Sequence, residues 1–257
     1  MKICYGIILF SGIKEEIDFI EKLIFLAKKI EWADLHIHIS VHNKALLETF
    51  CSNLVHENLT FDLDLANSGY GGGFNKTLRY ALFTNSDLVV FSNTDINFND
   101  ACFIKWINEI MSNNYYVAPI QKLHSGRLVY GSRFRVFPIS SAITVANHKI
   151  NSALGAIMYA KKEQFSLLMD ESYFMYNEEH AYFNELSKIM DIVPTENFYF
   201  THQGVQSSSS IFRLVMIRKN LGKLCSAVHK NWALRALSFI LNYISLSIRI
   251  NWLKVNK

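Results

Sequence analysis

A chain of 257 residues, half of them hydrophobic, can bury one sizeable core, which excludes a disordered or fibrous protein. Its four scattered cysteines (Cys4, Cys51, Cys102, Cys225) have neither disulfide-framework nor metal-ligand spacing, so reduced thiols in the cytosol are expected. Nine of the 26 Lys and Arg, and none of the 22 Asp and Glu, lie beyond residue 210; the body before it holds 17 positives against 22 negatives.

Residues 3–10 form a short apolar strand ended by Ser11-Gly12. Met1-Lys2 leads into it with no small-residue cleavage site behind, so no secretory signal and a cytoplasmic location are expected. Ile17, Ile20, Leu23, Ile24, Ala27 and Ile30 recur at helical spacing, which predicts an amphipathic helix over 14–30. A strand at 35–41 ends in His42-Asn43; a helix at 45–55 and a strand at 59–65 follow. His36, His38 and His42 alternate along that second strand, but no carboxylate or Cys shares the motif, so a polar strand face is favoured over a metal site.

Residues 67–73 carry four glycines and read as a loop; 74–83 reads as a helix and 88–91 as a buried apolar strand. That strand ends in Ser92-Asn93-Thr94-Asp95. The order β-α-β-α-β-α-β implies a parallel sheet with right-handed crossovers. Ligands of such sheets bind beyond the carboxyl ends of the strands. A glycine loop able to offer backbone N–H groups, and a carboxylate at the next strand end, therefore mark a candidate site.

Beyond Asp95 the pattern predicts a helix at 101–111, a strand at 115–119 and a β-hairpin within 121–137, around Ser125-Gly126 or Tyr130-Gly131. A strand at 152–162 and a helix at 164–169 precede Asp170-Glu-Ser-Tyr-Phe-Met-Tyr-Asn-Glu-Glu-His180. The two acids Glu178 and Glu179 open a helix running to about residue 190, and a strand at 192–200 leads to His202.

Taken together, Asn67-x-Gly-Tyr-Gly-Gly-Gly-Phe-Asn75, the strand ending Asn93-Thr-Asp95, the acidic segment 170–180 and His202-x4-Ser207 resemble the family 2 inverting glycosyltransferases of GT-A fold. The likeness is greatest to the rhamnosyl- and galactofuranosyl-transferase-like members that build bacterial surface polysaccharides, including O-antigen, and it covers about residues 3 to 220. It implies a GT-A catalytic domain, a mostly parallel α/β sheet flanked by helices, over 1–210. It implies a nucleotide-sugar donor held by Ser11, Asn43, Asn67, Gly69, Gly73, Asn75 and Asn93. Asp95 and His202 would hold Mg²⁺ or Mn²⁺ against the diphosphate, and Glu179, with Glu178 as the alternative, would be the base that deprotonates a saccharide acceptor. The departures are Thr77 in place of the family's last glycine, His42 in place of its Asp, and Glu179 and Ala181 in place of two Asp. They leave open a nucleotide-sugar-binding protein without catalysis. A nucleotidyltransferase would need a Lys/Arg-rich first loop, which Ser11-Gly12 does not supply.

Residues 211–257 are helical in character, basic and apolar. The uncharged run between Arg235 and Arg249 is 236–248, short of the ~20 residues that span a bilayer. An interfacial helix on an anionic membrane is expected, at the inner face of the cytoplasmic membrane, where a lipid-linked saccharide would be the acceptor. A helix pair packed on protein is the alternative. The tail is too apolar for nucleic acid.

Overall fold

A computed structural model describes residues 1–9, 14–45, 47–48, 56–64, 67–138, 141–144, 150–173, 176–202 and 210–255. Strand β1 (Lys2–Leu9) is buried from Ile3 onward. It lies at the centre of a five-stranded sheet, between β2 (Asp34–Val41) and β4 (Leu88–Ser92), both parallel to it. β3 (Leu59–Leu63) adds to β2 in parallel and forms one edge; β10 (Ile157–Lys161) adds antiparallel to β4 and forms the other. The near-continuous apolar runs of β1 and β4 are what a sheet covered on both faces requires, each buried Ile or Leu contributing roughly 1.5–3 kcal/mol.

α1 (Lys14–Lys29) forms where expected, but the face it buries is turned from the predicted one: Phe19 and Leu26 join Ile20 and Leu23 in the core, while Ile17, Ile24 and Ala27 are only partly buried. Most of the helix expected at 45–55 lies outside the described residues. α2 (Gly69–Phe83) begins earlier than expected: Gly71, Gly72 and Gly73 are helical, not loop. The glycines allow close approach, because a Cβ at Gly73 would lie 2.3 Å from Ile8 Cδ1.

A second, four-stranded sheet runs β5 (Ile96–Phe98), β11 (Ile192–His202), β6 (Tyr116–Lys122), β7 (Leu128–Val129). β6 and β7 form the expected hairpin at Ser125-Gly126, with Gly126 at φ 81. Two tyrosines lock the sheets together. Tyr116 and Tyr159 stack at 4.2 Å; Val117 N–H donates to Tyr159 Oη (2.6 Å) and Tyr159 N–H to Tyr116 Oη (3.2 Å). α3 (Asp100–Ser112) covers this sheet, its Trp106 stacked on Phe198 and donating to the Val117 carbonyl. β8 (Ser132–Arg135) and β9 (Ser141–Thr144) make a separate ribbon.

The helix expected at 164–169 is only a 3₁₀ turn, Lys162–Gln164; the Gln164 side chain caps it by accepting from Lys161 N–H. α4 (Glu178–Leu186) is shorter than expected. α5 (Ser210–Val228) and α6 (Trp232–Val255) pack as a hairpin. Its core of Leu221, Leu224, Cys225 and Leu246 closes on Val136, Tyr173 and Ala181 of the body.

Candidate functional site at the strand ends

Beyond Ser92 the chain turns through Asn93, Thr94 and Asp95 into β5, which pairs antiparallel with the end of β11 so that Ile96 lies opposite His202. This pairing brings Asp95 Oδ1 to 3.0 Å from His202 Nε2, each side chain 24% exposed. Both atoms are buried, yet neither has an aligned hydrogen bond. The two groups are within ion-pair distance of each other. Among the described residues no group of three His, Cys, Asp or Glu could hold a metal. Asn93 N–H donates to the Ala156 carbonyl at 3.0 Å, fixing this strand end to the loop before β10.

On that loop, Gly155 faces the start of α4. A Cβ at Gly155 would lie 3.3 Å from Glu179 Cγ, and the Gly155 carbonyl accepts from the Tyr70 hydroxyl. α4 is entered through two consecutive left-handed residues, Tyr176 (φ 66) and Asn177 (φ 77). Asn tolerates that conformation; for Tyr it costs on the order of 1–3 kcal/mol. The Asn220 amide of α5 donates to the Tyr176 carbonyl at 3.0 Å and holds the turn. Glu178 and Glu179 thus become the first two residues of a helix, where free N–H groups and the helix dipole favour negative charge.

The two acids differ in surroundings. Glu178 is 5% exposed and its Oε2 has no hydrogen-bond partner. Burial first, and then the charge of Glu179, push its carboxyl up to about 8. Glu179 is a quarter exposed, 3.9 Å from His180 Nε2. His180 Nδ1 lies 2.7 Å from Ser152 Oγ, and burial lowers its pKa. Burial and then the charges of Glu179 and Glu178 raise the Tyr70 phenol.

A second cluster forms where β3 meets α2. Asp64 accepts from Ser68 N–H (2.9 Å) and Ser68 Oγ (2.6 Å) and pairs with Lys76 at 3.0 Å. Burial works to raise the Asp64 carboxyl, but Ser68 and Lys76 outweigh it and hold it below its ordinary value. His42 Nδ1 lies 3.7 Å from the same carboxylate. Asn67, left-handed at φ 46, leaves its Oδ1 buried with no partner. An orphaned acceptor at a helix N-terminus suits a ligand that brings its own donor. Gly69 starts the helix beside it.

Three expected donor contacts fall elsewhere. The Asn75 amide is spent on the fold: it donates to the Met169 carbonyl (2.8 Å) and Glu171 (2.9 Å) and accepts from Met169 N–H (2.9 Å). Gly73 packs against Ile8 and Phe91. Asn43 is exposed and its Oδ1 accepts from Ala45 N–H, capping the turn that follows. Ser11 lies outside the described residues, as does 203–209 with Ser207. Of the alternating histidines, His36 and His38 lie on β2, and His38 is buried with neither ring nitrogen hydrogen-bonded, not on a polar face. His36 bonds Thr60 and Tyr80, and His38 stacks on Tyr80 at 4.5 Å, with burial lowering it to about 4.

Sequence reasoning passed over Asp64, Tyr70, Gly155 and the Ser152–His180 pair. Tyr70 stands inside the glycine motif and was readable there. Ser152 carries no local signal, because only its contact with His180 of α4 gives it a role.

No family model matches this chain, and no curated protein matches it. Among solved structures, it is similar to S. aureus TarS residues 1–349, with TM-score 0.53 and 12% identity over 97% of this chain and 72% of that one. The same TarS segment in complex with UDP matches with TM-score 0.52 and 13% identity over 93% of this chain and 70% of that one. In complex with UDP-GlcNAc it matches with TM-score 0.56 and 12% identity over 97% and 73%. At such identity the likeness is one of fold.

Proposed function

We propose that this chain is an inverting glycosyltransferase that moves a hexosyl or deoxyhexosyl group from a nucleotide-sugar donor to a saccharide hydroxyl. The observation that carries the reading is the approach of Asp95 to His202 at the strand ends, beside a loop that contacts Glu179. The shared fold with TarS, solved with UDP and UDP-GlcNAc, supports a nucleoside-diphosphate-sugar donor.

In this reading the acceptor oxygen attacks the anomeric carbon as the bond from that carbon to the diphosphate oxygen breaks, inverting the centre. The acceptor's proton passes to a carboxylate. Glu178 keeps its own proton near neutral pH, so it is poorly suited to accept another. Glu179, more open and lying over Gly155, takes the role of base. Tyr70 orients the Gly155 carbonyl beneath it. Asn67 Oδ1 accepts from the donor, and the N-terminal N–H groups of α2 face its negative charge. One carboxylate oxygen and one imidazole nitrogen fit a hard divalent cation, Mg²⁺ or Mn²⁺, that takes its other ligands from phosphate. Such an ion, when bound, offsets charge on the departing diphosphate.

The acceptor is proposed to be a growing, lipid-linked saccharide of a bacterial surface polysaccharide. Residues 1–210 would carry the reaction and 211–257 would form an appended hairpin. The test is a thermal-shift screen with UDP-, GDP- and dTDP-sugars, with and without Mn²⁺, followed by transfer to saccharide acceptors. One nucleotide class should raise Tm, more so with metal. No shift with any of them would overturn the reading.

A further inference from the structure

We infer that the outer face of α6 lies flat on an anionic lipid bilayer. The polarity of this helix is inverted. Its inner row is Ser238, Asn242, Leu246 and Ile250, at successive i+4 positions, all buried. The Asn242 amide donates to the Val136 carbonyl (2.8 Å) and the Ser238 carbonyl (2.7 Å), and Ser238 Oγ meets His229 Nε2 at 3.0 Å. The outward row carries Ile240, Ile244 and Ile248, 51%, 53% and 63% exposed, with Trp232 and Trp252 near the ends at 78% and 64%. A helix bathed in water does the reverse. Ser238 and Asn242, which would be awkward in hydrocarbon, are satisfied inside the protein and leave the outer face apolar.

The length of α6 and the mean hydropathy of its most apolar 18 residues, 1.3, would suffice for a membrane-crossing helix. The packing argues for one that lies in the interface. The inner row is bonded to the body and to the α5–α6 turn, and crossing would strip those buried polar groups of their partners. Arg235 and Arg249 also interrupt the run. Charge selects the occupant. Residues 211–257 hold nine Lys and Arg and no acid, so a second copy of this face would bring like charge, whereas anionic headgroups bring the opposite. Lys219, Lys230, Arg235, Arg249 and Lys254 are exposed. Indole rings at both ends suit the headgroup boundary.

α5 connects this surface to the candidate site. Asn220 donates to the Tyr176 carbonyl and Lys223 to the Ser172 carbonyl, so the hairpin supports the turn that presents Glu178 and Glu179. Docking would set those acids at a fixed height above the lipid, a consequence that rests on the glycosyl-transfer reading. The binding itself does not.

The experiment is co-sedimentation of the full chain, without donor, with vesicles of phosphatidylcholine alone or with added phosphatidylglycerol. Binding is expected only to the second, weakening as salt rises. Ile240→Glu with Ile244→Glu should abolish it with Tm unchanged, since both side chains are already exposed. Arg249→Gln with Lys254→Gln, which does not touch the packing, should weaken it. No binding to either vesicle, or equal binding to both, would overturn the inference. So would a solution dimer that the paired glutamates convert to monomer, which would give the face to a second copy. Nucleotide-induced thermal shifts would survive any of these failures, so the two readings fall separately.

Discussion

Asp95 Oδ1 and His202 Nε2 lie 3.0 Å apart although 107 positions separate them in the chain, because β5 pairs antiparallel with the last residues of β11. In the proposed reaction the two hold one divalent cation between them. With UDP as probe, wild type should gain Tm on addition of Mn²⁺ beyond the gain from either alone. Asp95→Ala and His202→Ala should each lose that extra gain. An unchanged metal-dependent gain in Asp95→Ala would show that the pair does not hold the ion.

The two acids at the start of α4 are separable by substitution. Glu179→Gln should leave nucleotide-induced thermal shifts intact and lower turnover by a factor on the order of 10² to 10⁴. Glu178→Gln should lower it far less, because the amide resembles the protonated acid that already stands there. The comparison is steady-state kcat for both variants. The reverse ranking would move the base to Glu178, and full activity in both would end the catalytic assignment.

Glu178 also leaves a mark on stability. Folded, it keeps its proton to about pH 8; unfolded, it releases it near 4.5. Between those values the folded state binds more protons, so its stability falls as pH rises. Glu178→Gln removes this dependence. The Tm of the variant minus that of wild type should therefore grow from below pH 4.5 to above pH 8. Parallel Tm curves across that window would show that Glu178 is not held in an apolar setting.

The sheet was readable because β1 and β4 are apolar runs of strand length and β2 alternates apolar with polar residues. Asp95 and His202 were singled out for their expected places at strand ends; Asp95 lies in the turn between β4 and β5, and His202 is the last residue of β11. The start of α2 was missed for a physical reason: glycine carries a low helix propensity, a cost of roughly 1 kcal/mol each, so Gly71-Gly72-Gly73 reads as a loop, yet here the three fit close contacts with Met169, Ser68 and Ile8 in turn. Asn75 was misplaced because an amide beside a ligand loop and an amide tying α2 to Met169 look alike in one dimension. Asp64 was passed over because its role depends on Ser68 and Lys76 returning to it along α2. The inward turn of Ser238 and Asn242 was also invisible, since composition does not say which side of a helix meets the protein.

Thr77 stands where the resembling family keeps a glycine, and Gly6 of β1 accommodates it. A Cβ at Gly6 would lie 2.2 Å from Thr77 Oγ1, 2.5 Å from Thr77 Cγ2 and 2.7 Å from Phe91 Cδ2. The glycine needed where helix crosses strand is therefore on the strand side of the contact. Thr77 is fully buried and its hydroxyl donates back to the Gly73 carbonyl, so it cannot swing away to make room. Gly6→Ala should then cost about 1–3 kcal/mol by overpacking, read as a lower Tm. Thr77→Ala alone removes a buried methyl and hydroxyl and should also destabilise. Combined, they should be less harmful than their sum, with a coupling of about 0.5–3 kcal/mol, because the second substitution vacates the volume the first one fills. Phe91 still crowds the site, so recovery should be partial. Thermal or urea unfolding of the four proteins in this cycle measures the coupling. Additive losses would show that the two positions do not compete for space and that the departure at Thr77 is not compensated at Gly6.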